Sequence, residues 1–178
     1  MSQPVAPQAA KLVIGVMTRD ASLFAPVAER LARQFGDIDL ISPWMPFDYT
    51  SYYEREMGAG LKRRMTAFKT LIPQDRLSSV KQKTNAIEAI YKQQEKRMVN
   101  IDPGYLLRER FVLATGKNFA HRIYIGDQIY ADLTLVFHKG AFRSLPWTYP
   151  DYQAADMQSF LYRARDKYIK DITEMELS

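Results

Sequence analysis

The segment "HRIYIGDQIYADLTLVF", His121 to Phe137, constrains the fold more than any other stretch of the chain. Ile129, Ala131, Leu133 and Leu135 alternate with Tyr130, Asp132, Thr134 and Val136, and Gly126-Asp127 separates this run from an earlier β-rich one. Period-two alternation belongs to a strand, and a glycine-containing break between two strands predicts a hairpin. The chain is therefore built on a sheet. The segment after "WTYPDY" carries Met157, Phe160, Leu161, Ala164, Tyr168 and Ile172 at helical spacing, which predicts a terminal helix packed on that sheet.

Near the other end, the near-continuous apolar letters of "KLVIGVMT" suit a strand covered on both faces. A helix comes next, from Ser22 to Phe35, with Phe24, Val27, Ala28, Leu31 and Phe35 on one side, Ser22 as its cap and Gly36 as its stop. "DIDLIS" then gives a second strand, so the opening reads as a parallel β-α-β unit. From Pro43 to Gly60 the chain is aromatic and proline-punctuated, read as a loop into a short strand and a Gly-Ala-Gly turn. "LKRRMTAFKTLI" reads as a strand. Leu77, Val80, Thr84, Ile87 and Tyr91 form the buried stripe of a helix from about Gln74 to Gln94, and Lys81, Asn85, Glu88 and Lys92 form a second stripe at its margin. The plainer account of that second stripe is a solvated flank with a Glu88–Lys92 pair. "NIDPGY" spells a tight turn, with Pro103 presetting φ and Gly104 accepting positive φ. The fold class is α/β in the mixed α+β sense: a single sheet of mixed strands with helices packed on it, opened by β-α-β and closed by a hairpin plus helix. Residues 1–10 read as a loose tail and 11–178 as one domain.

The absence of cysteine from 178 residues excludes disulfides and thiolate chemistry. "MSQPVAPQAA" has neither the basic nor the apolar region of a signal peptide. No apolar run approaches the ~20 residues that span a bilayer. These features predict a cytoplasmic protein without a membrane partner. The net charge of +5 is unevenly spread: Leu61 to Lys117 holds thirteen Lys or Arg against five Asp or Glu, a balance of +8, and the remainder sums to −3. A regional positive field suits anions, whether nucleic acid or small metabolites.

A P-loop needs a glycine where Phe111 stands and a hydroxyl where Asn118 stands. No dinucleotide-binding glycine pattern and no nucleophile elbow is present, and His121 and His138 are too few for a zincin helix. Glu54, Glu56, Asp102 and His121 have the atom types for a hard cation, but no spacing ties them together, so no metal is assigned. The remaining polar groups stand where elements begin or end, where loops can converge on a ligand. His121 and one carboxylate, Asp102 or Glu88, are the candidates for moving a proton. Arg97, Lys117 and Arg122 would hold an anion, and Asn85 and Asn100 would orient it. Tyr149 and Asp151 complete the set, Asp151 having the alternative of capping the last helix and Arg122 that of facing outward.

The phrases "FDYTSYYEREMG", "KQKTNAIEAIY", "RMVNIDPGYL", "LATGKNFAHRIYIGDQIYADLTL" and "WTYPDY", in this order, resemble the uncharacterised prokaryotic family of domain of unknown function 4416. The resemblance covers Lys11 to Tyr168. It implies family positions at Tyr53, Glu54, Glu56, Thr84, Asn85, Glu88, Arg97, Asn100, Asp102, Lys117, His121, Arg122, Tyr149 and Asp151. The chain has "ATGKN" where the family tends to read "STKD", which removes a carboxylate from the position after Lys117. The resemblance brings no activity and no cofactor. Three functional expectations remain open: a protein binding or acting on a small phosphorylated or carboxylated metabolite, an RNA- or ribonucleoprotein-associated module using the basic region and its tyrosines, or a scaffold without a catalytic site.

Overall fold

A computed structural model describes residues 3–50 and 53–177, the side chain of Arg55 excepted. Its first strand, β1 (Ala10–Thr18), is buried along its whole length, as a strand covered on both faces must be. The next helix, α1 (Phe24–Phe35), is preceded by a single 3-10 turn whose cap is Asp20, not Ser22: the Asp20 carboxylate accepts the Ser22 N–H at 2.9 Å. Gly36 stops α1 at φ 95°, where its N–H donates to the Ala32 carbonyl. Then come β2 (Ile38–Ile41), β3 (Met45–Pro46), a one-turn helix α2 (Glu54–Met57) that the sequence did not suggest, and β4 (Lys62–Ile72). Ser51 and Tyr52, inside the aromatic stretch, lie outside the described residues.

The helix α3 (Leu77–Ile90) is followed by a small hairpin, β5 (Lys92–Gln93) and β6 (Lys96–Arg97), so Lys92 lies beyond the helix end. The large sheet continues through β7 (Asn100–Leu106), β8 (Arg110–Thr115), β9 (Arg122–Gly126), β10 (Ile129–His138) and β11 (Ala141–Ser144). The predicted hairpin is β9–β10, turning through Asp127 and Gln128 at φ 52° and 62°. A 3-10 turn (Pro150–Gln153) leads into α4 (Ala155–Leu177), whose buried residues are the six that the spacing picked out.

The strand order is β11-β10-β8-β7-β1-β4-β2, with β3 on β4 and β9 on β10, and every pairing is antiparallel. The β-α-β opening is therefore split. β1 and β2 run in the same direction, but β4 lies between them and pairs with both. Alternation along β1 divides the core: Leu12, Ile14 and Val16 pack with Phe24, Val27 and Leu31 of α1 and Val80 and Ile87 of α3. On the other face, Val13, Met65 and Phe111 pack with Met157, Phe160, Leu161 and Ala164 of α4.

The Pro-Gly turn expected at Asn100–Tyr105 is absent. Asp102, Pro103 and Gly104 run straight through β7, with Pro103 opposite Ile14 of β1. Proline is tolerated there because β8 pairs only with Gly104, Tyr105 and Leu106, so the preceding residues have a strand on one side alone. Ile101 and Pro103 turn their main-chain groups to the same side, and at Pro103 the missing N–H would have met no strand. Gly104 serves close approach and not positive φ: a Cβ there would sit 2.5 Å from the Val112 carbonyl oxygen.

Candidate functional site

Where β8 leaves β7, α3 supplies the missing main-chain partners. The Ile101 N–H donates to Glu88 Oε1 at 2.6 Å, and the Ile101 carbonyl accepts from Lys81 Nζ at 2.8 Å. This corrects the reading of the Lys81–Glu88 stripe as a solvated flank. Both residues are buried, and Glu88 faces β7 instead of Lys92. The gap between the strands opens into a cavity of about 430 Å³. Its wall takes Lys81, Asn85 and Glu88 from α3, Arg97 from β6, Asn100 and Asp102 from β7, and Leu113 to Lys117 from β8 and the loop after it. Arg122 of β9, Asp132 of β10, Arg63 of β4, and Tyr149, Asp151 and Tyr152 before α4 complete it, with Phe47, Thr50 and Tyr53 on the aromatic side.

Of the residues singled out from the sequence, Asn85, Glu88, Arg97, Asn100, Asp102, Lys117, Arg122, Tyr149 and Asp151 meet at this wall. His121 does not. Its ring stacks on Trp147, centroids 4.9 Å apart, and its Nε2 lies 3.3 Å from Asp132 without forming a hydrogen bond. Arg122 faces inward, contrary to the outward alternative, because Asp132 holds its Nε at 2.9 Å. Asp151 caps nothing; its carboxylate is paired with Arg63.

The family model for a domain of unknown function, DUF4416, matches residues 8–168. The chain belongs to the DUF4416 family. No curated protein and no solved structure matches it. The chemistry of this DUF4416 chain is therefore read from its own geometry.

A chain of polar contacts runs along one side of the cavity. Glu56 accepts from Arg97 Nε and Nη2, each at 2.7 Å, Arg97 Nη1 donates to Asn100 Oδ1 at 2.9 Å, and Asn100 Nδ2 donates to Asp102 Oδ2 at 2.6 Å. Asn100 commits one N–H and one lone pair of its amide to this relay. Lys81 Nζ stands 3.6 Å from Asp102 and 3.9 Å from Glu88, between the two carboxyls. Burial raises Glu88 above the ordinary glutamate range, against the opposing pull of Lys81 and the Ile101 N–H. Glu56 moves the other way, lowered by its hydrogen bonds from Arg97. Burial also raises the phenols of Tyr53 and Tyr152, so both keep their protons at neutral pH.

Arg63, Lys81, Arg97, Lys117 and Arg122 face Glu88, Asp102, Asp132 and Asp151 across the cavity, five cations against four carboxylates. The site is nearly balanced in charge. Of the basic middle region, Arg63, Lys81 and Arg97 are turned inward and paired, while Lys69, Arg76, Lys83, Lys92, Lys96, Arg108 and Lys117 remain exposed. Among the described residues, no group of three His, Cys, Asp or Glu forms a metal-binding cluster, and no helix is long and apolar enough to cross a membrane.

Arg63 and Asp132 escaped the sequence reading as site residues, yet a signal existed for Arg63. It falls in phase with Met65 and Ala67, which face the α4 side of the core. Asp132 carried no such signal, because a register shift between Leu133 and Leu135 breaks the alternation of β10.

Proposed function

We propose that the cavity binds a small polar metabolite bearing a phosphoryl or carboxylate group, and that Glu88 and Asp102 exchange a proton with it. The observation that carries this reading is the convergence of charged and amide groups from α3, β4, β6, β7, the loop after β8, β9, β10 and the turn before α4 on one concave space. Its volume suits a metabolite-sized ligand. A fold does not need such a cluster for its stability: a buried ion pair replaced by well-packed apolar residues is often neutral or even stabilising.

The roles come from the contacts. Lys117 stands at the exposed end of the cavity, and Arg122 Nη1 donates to its carbonyl at 3.0 Å, so these two residues meet the anionic group together. Asn85, solvent-facing on α3 and outside the ion-pair chain, orients the rest of the molecule. Lys81 stands between Glu88 and Asp102, and Glu88, raised by burial, is the carboxyl placed to hold a proton.

The test is a thermal-shift panel of phosphorylated and carboxylated metabolites on the native chain and on Lys117→Ala. A compound at a hundred times its dissociation constant stabilises by about 2.7 kcal/mol. That raises the melting midpoint of a chain of this size by roughly 5–10 °C. The native chain should show this rise and Lys117→Ala should lose most of it. A panel in which no compound moves the native midpoint overturns the proposal.

A further inference from the structure

Arg63 is buried to 6% side-chain exposure in the cavity wall, and its guanidinium is only partly used. Its ring neighbours, with centroids 4.7 Å (Phe47) and 5.4 Å (Tyr152) from Cζ, pack on the guanidinium as cation–π partners. Nη1 pairs with Asp151. Nε has no partner, although it is fully buried. Nη2 stands 3.9 Å from Asp102, beyond hydrogen-bond distance. Nε and Nη2 lie on the same edge of a guanidinium, the fork that grips two oxygens at once.

Arg97 shows the same fork filled. Its Nε and Nη2 each donate at 2.7 Å to the two oxygens of Glu56, and its Nη1 serves a separate partner, Asn100. Arg63 repeats this pattern with one difference, since Nη1 serves Asp151 and the fork is open. A buried donor without an acceptor is costly, and a fold rarely retains one without use. Arg63 and Asp102 both line the main cavity, and Nη2 is the fork atom that stands toward Asp102.

We infer that the Nε/Nη2 edge of Arg63 is the recognition point for an oxyanion of the ligand, a carboxylate or phosphoryl group that presents two oxygens in one plane. The inference deepens the small-metabolite reading and rests on it. The fork takes the oxyanion bidentately, as Arg97 takes Glu56, while Asp151 keeps the guanidinium in place from its other end. Asp102 leaves the fork open, its nearer oxygen being hydrogen-bonded by Asn100 and standing 3.9 Å from Nη2. A ligand with a second anionic group would span from Arg63 inside to Lys117 at the exposed end.

The Nε–H resonances of the arginines, read in a proton–nitrogen correlation spectrum of the whole chain, test this. The probes are acetate and inorganic phosphate, each titrated at constant ionic strength against sodium chloride. Arg63→Lys identifies the Arg63 signal by its loss; if that variant does not fold, through-bond side-chain assignment of the native chain does so instead. The Arg63 Nε–H signal should move saturably with acetate, which assigns a carboxylate, or with phosphate, which assigns a phosphoryl group. The Arg97 Nε–H signal, already on Glu56, should stay. The inference is overturned if neither probe moves Arg63, or if both arginines drift together. Where the metabolite panel yields a stabilising compound that leaves the Arg63 signal unmoved, this inference fails and the small-metabolite reading survives.

Discussion

The close approach of β7 and β8 at Gly104 can be tested by adding one methyl group. A Cβ at this position would lie 2.5 Å from the Val112 carbonyl oxygen, 3.0 Å from Leu113 Cδ2 and 3.2 Å from Phe111 Cε2. The first obstacle is main chain, which cannot rotate away, so Gly104→Ala must push the two strands apart. Overpacking of this kind costs about 1–3 kcal/mol, and the rigid obstacle places it near the top of that range. At roughly 2–4 °C per kcal/mol for a chain of this size, the melting midpoint should fall by about 6–12 °C. Gly116 supplies the control: a Cβ there meets nothing within 4 Å, and Gly116→Ala should change stability by less than about 0.5 kcal/mol. Differential scanning calorimetry of the two variants beside the native chain measures both. If Gly104→Ala melts within a degree or so of the native chain, the strands are not held at the distance described, and the account of how the cavity opens beyond Gly104 falls with it.

Three further outcomes can be measured. Glu88 has its carboxyl raised by burial, so its contribution to stability is complete below the ordinary glutamate range and is lost as pH rises through the folded value. Thermal melts across pH should therefore show Glu88→Gln gaining on the native chain as pH increases; a gap that is flat or shrinks contradicts this. Glu56 is lowered by Arg97, so Glu56→Gln should be costly at neutral pH and its cost should disappear as pH falls through the depressed value, again read from melting midpoints. Lys11, fully buried in β1, donates to Asp39 at 2.9 Å, Asp171 at 2.8 Å and the Phe68 carbonyl at 2.9 Å, tying β1 to β2 and α4. Lys11→Met leaves Asp39 and Asp171 with Lys167 as their remaining cation and should cost about 2–3 kcal/mol in urea unfolding, whereas a loss under about 0.5 kcal/mol would show the tie to be idle.

The elements legible in the sequence were those where one period dominated. The six buried residues of α4, the alternation that gave β9–β10 and the Gly36 stop of α1 each come from local rules alone. What stayed hidden depended on neighbours distant in the chain. Asp102-Pro103-Gly104 has the letters of a turn, and only the departure of β8 and the closeness of Val112 make it a strand. Lys81 and Glu88 look like a solvated flank until β7 presents Ile101 for them to serve. The adjacency of β1 and β4 is a pairing that no local pattern in either strand specifies. Polar residues near element ends picked out most of the charged and amide groups of the cavity wall, though under half of its residues, because element ends are where separate strands and helices converge. His121 was misplaced for a related reason: its neighbour Arg122 takes the inward side, leaving the histidine against Trp147.

The claim at the centre of the account is that one cavity, bounded by α3, β7, β8 and the turn before α4, is where this DUF4416 chain meets its ligand. Backbone amide shifts, mapped on adding a saturating amount of whichever metabolite raises the melting midpoint, test it most directly. The account predicts that the moving amides cluster in residues 81–88, 100–104, 113–117 and 149–152. A set of moving amides centred instead on α1, or on the Lys11 tie beneath α4, would contradict it.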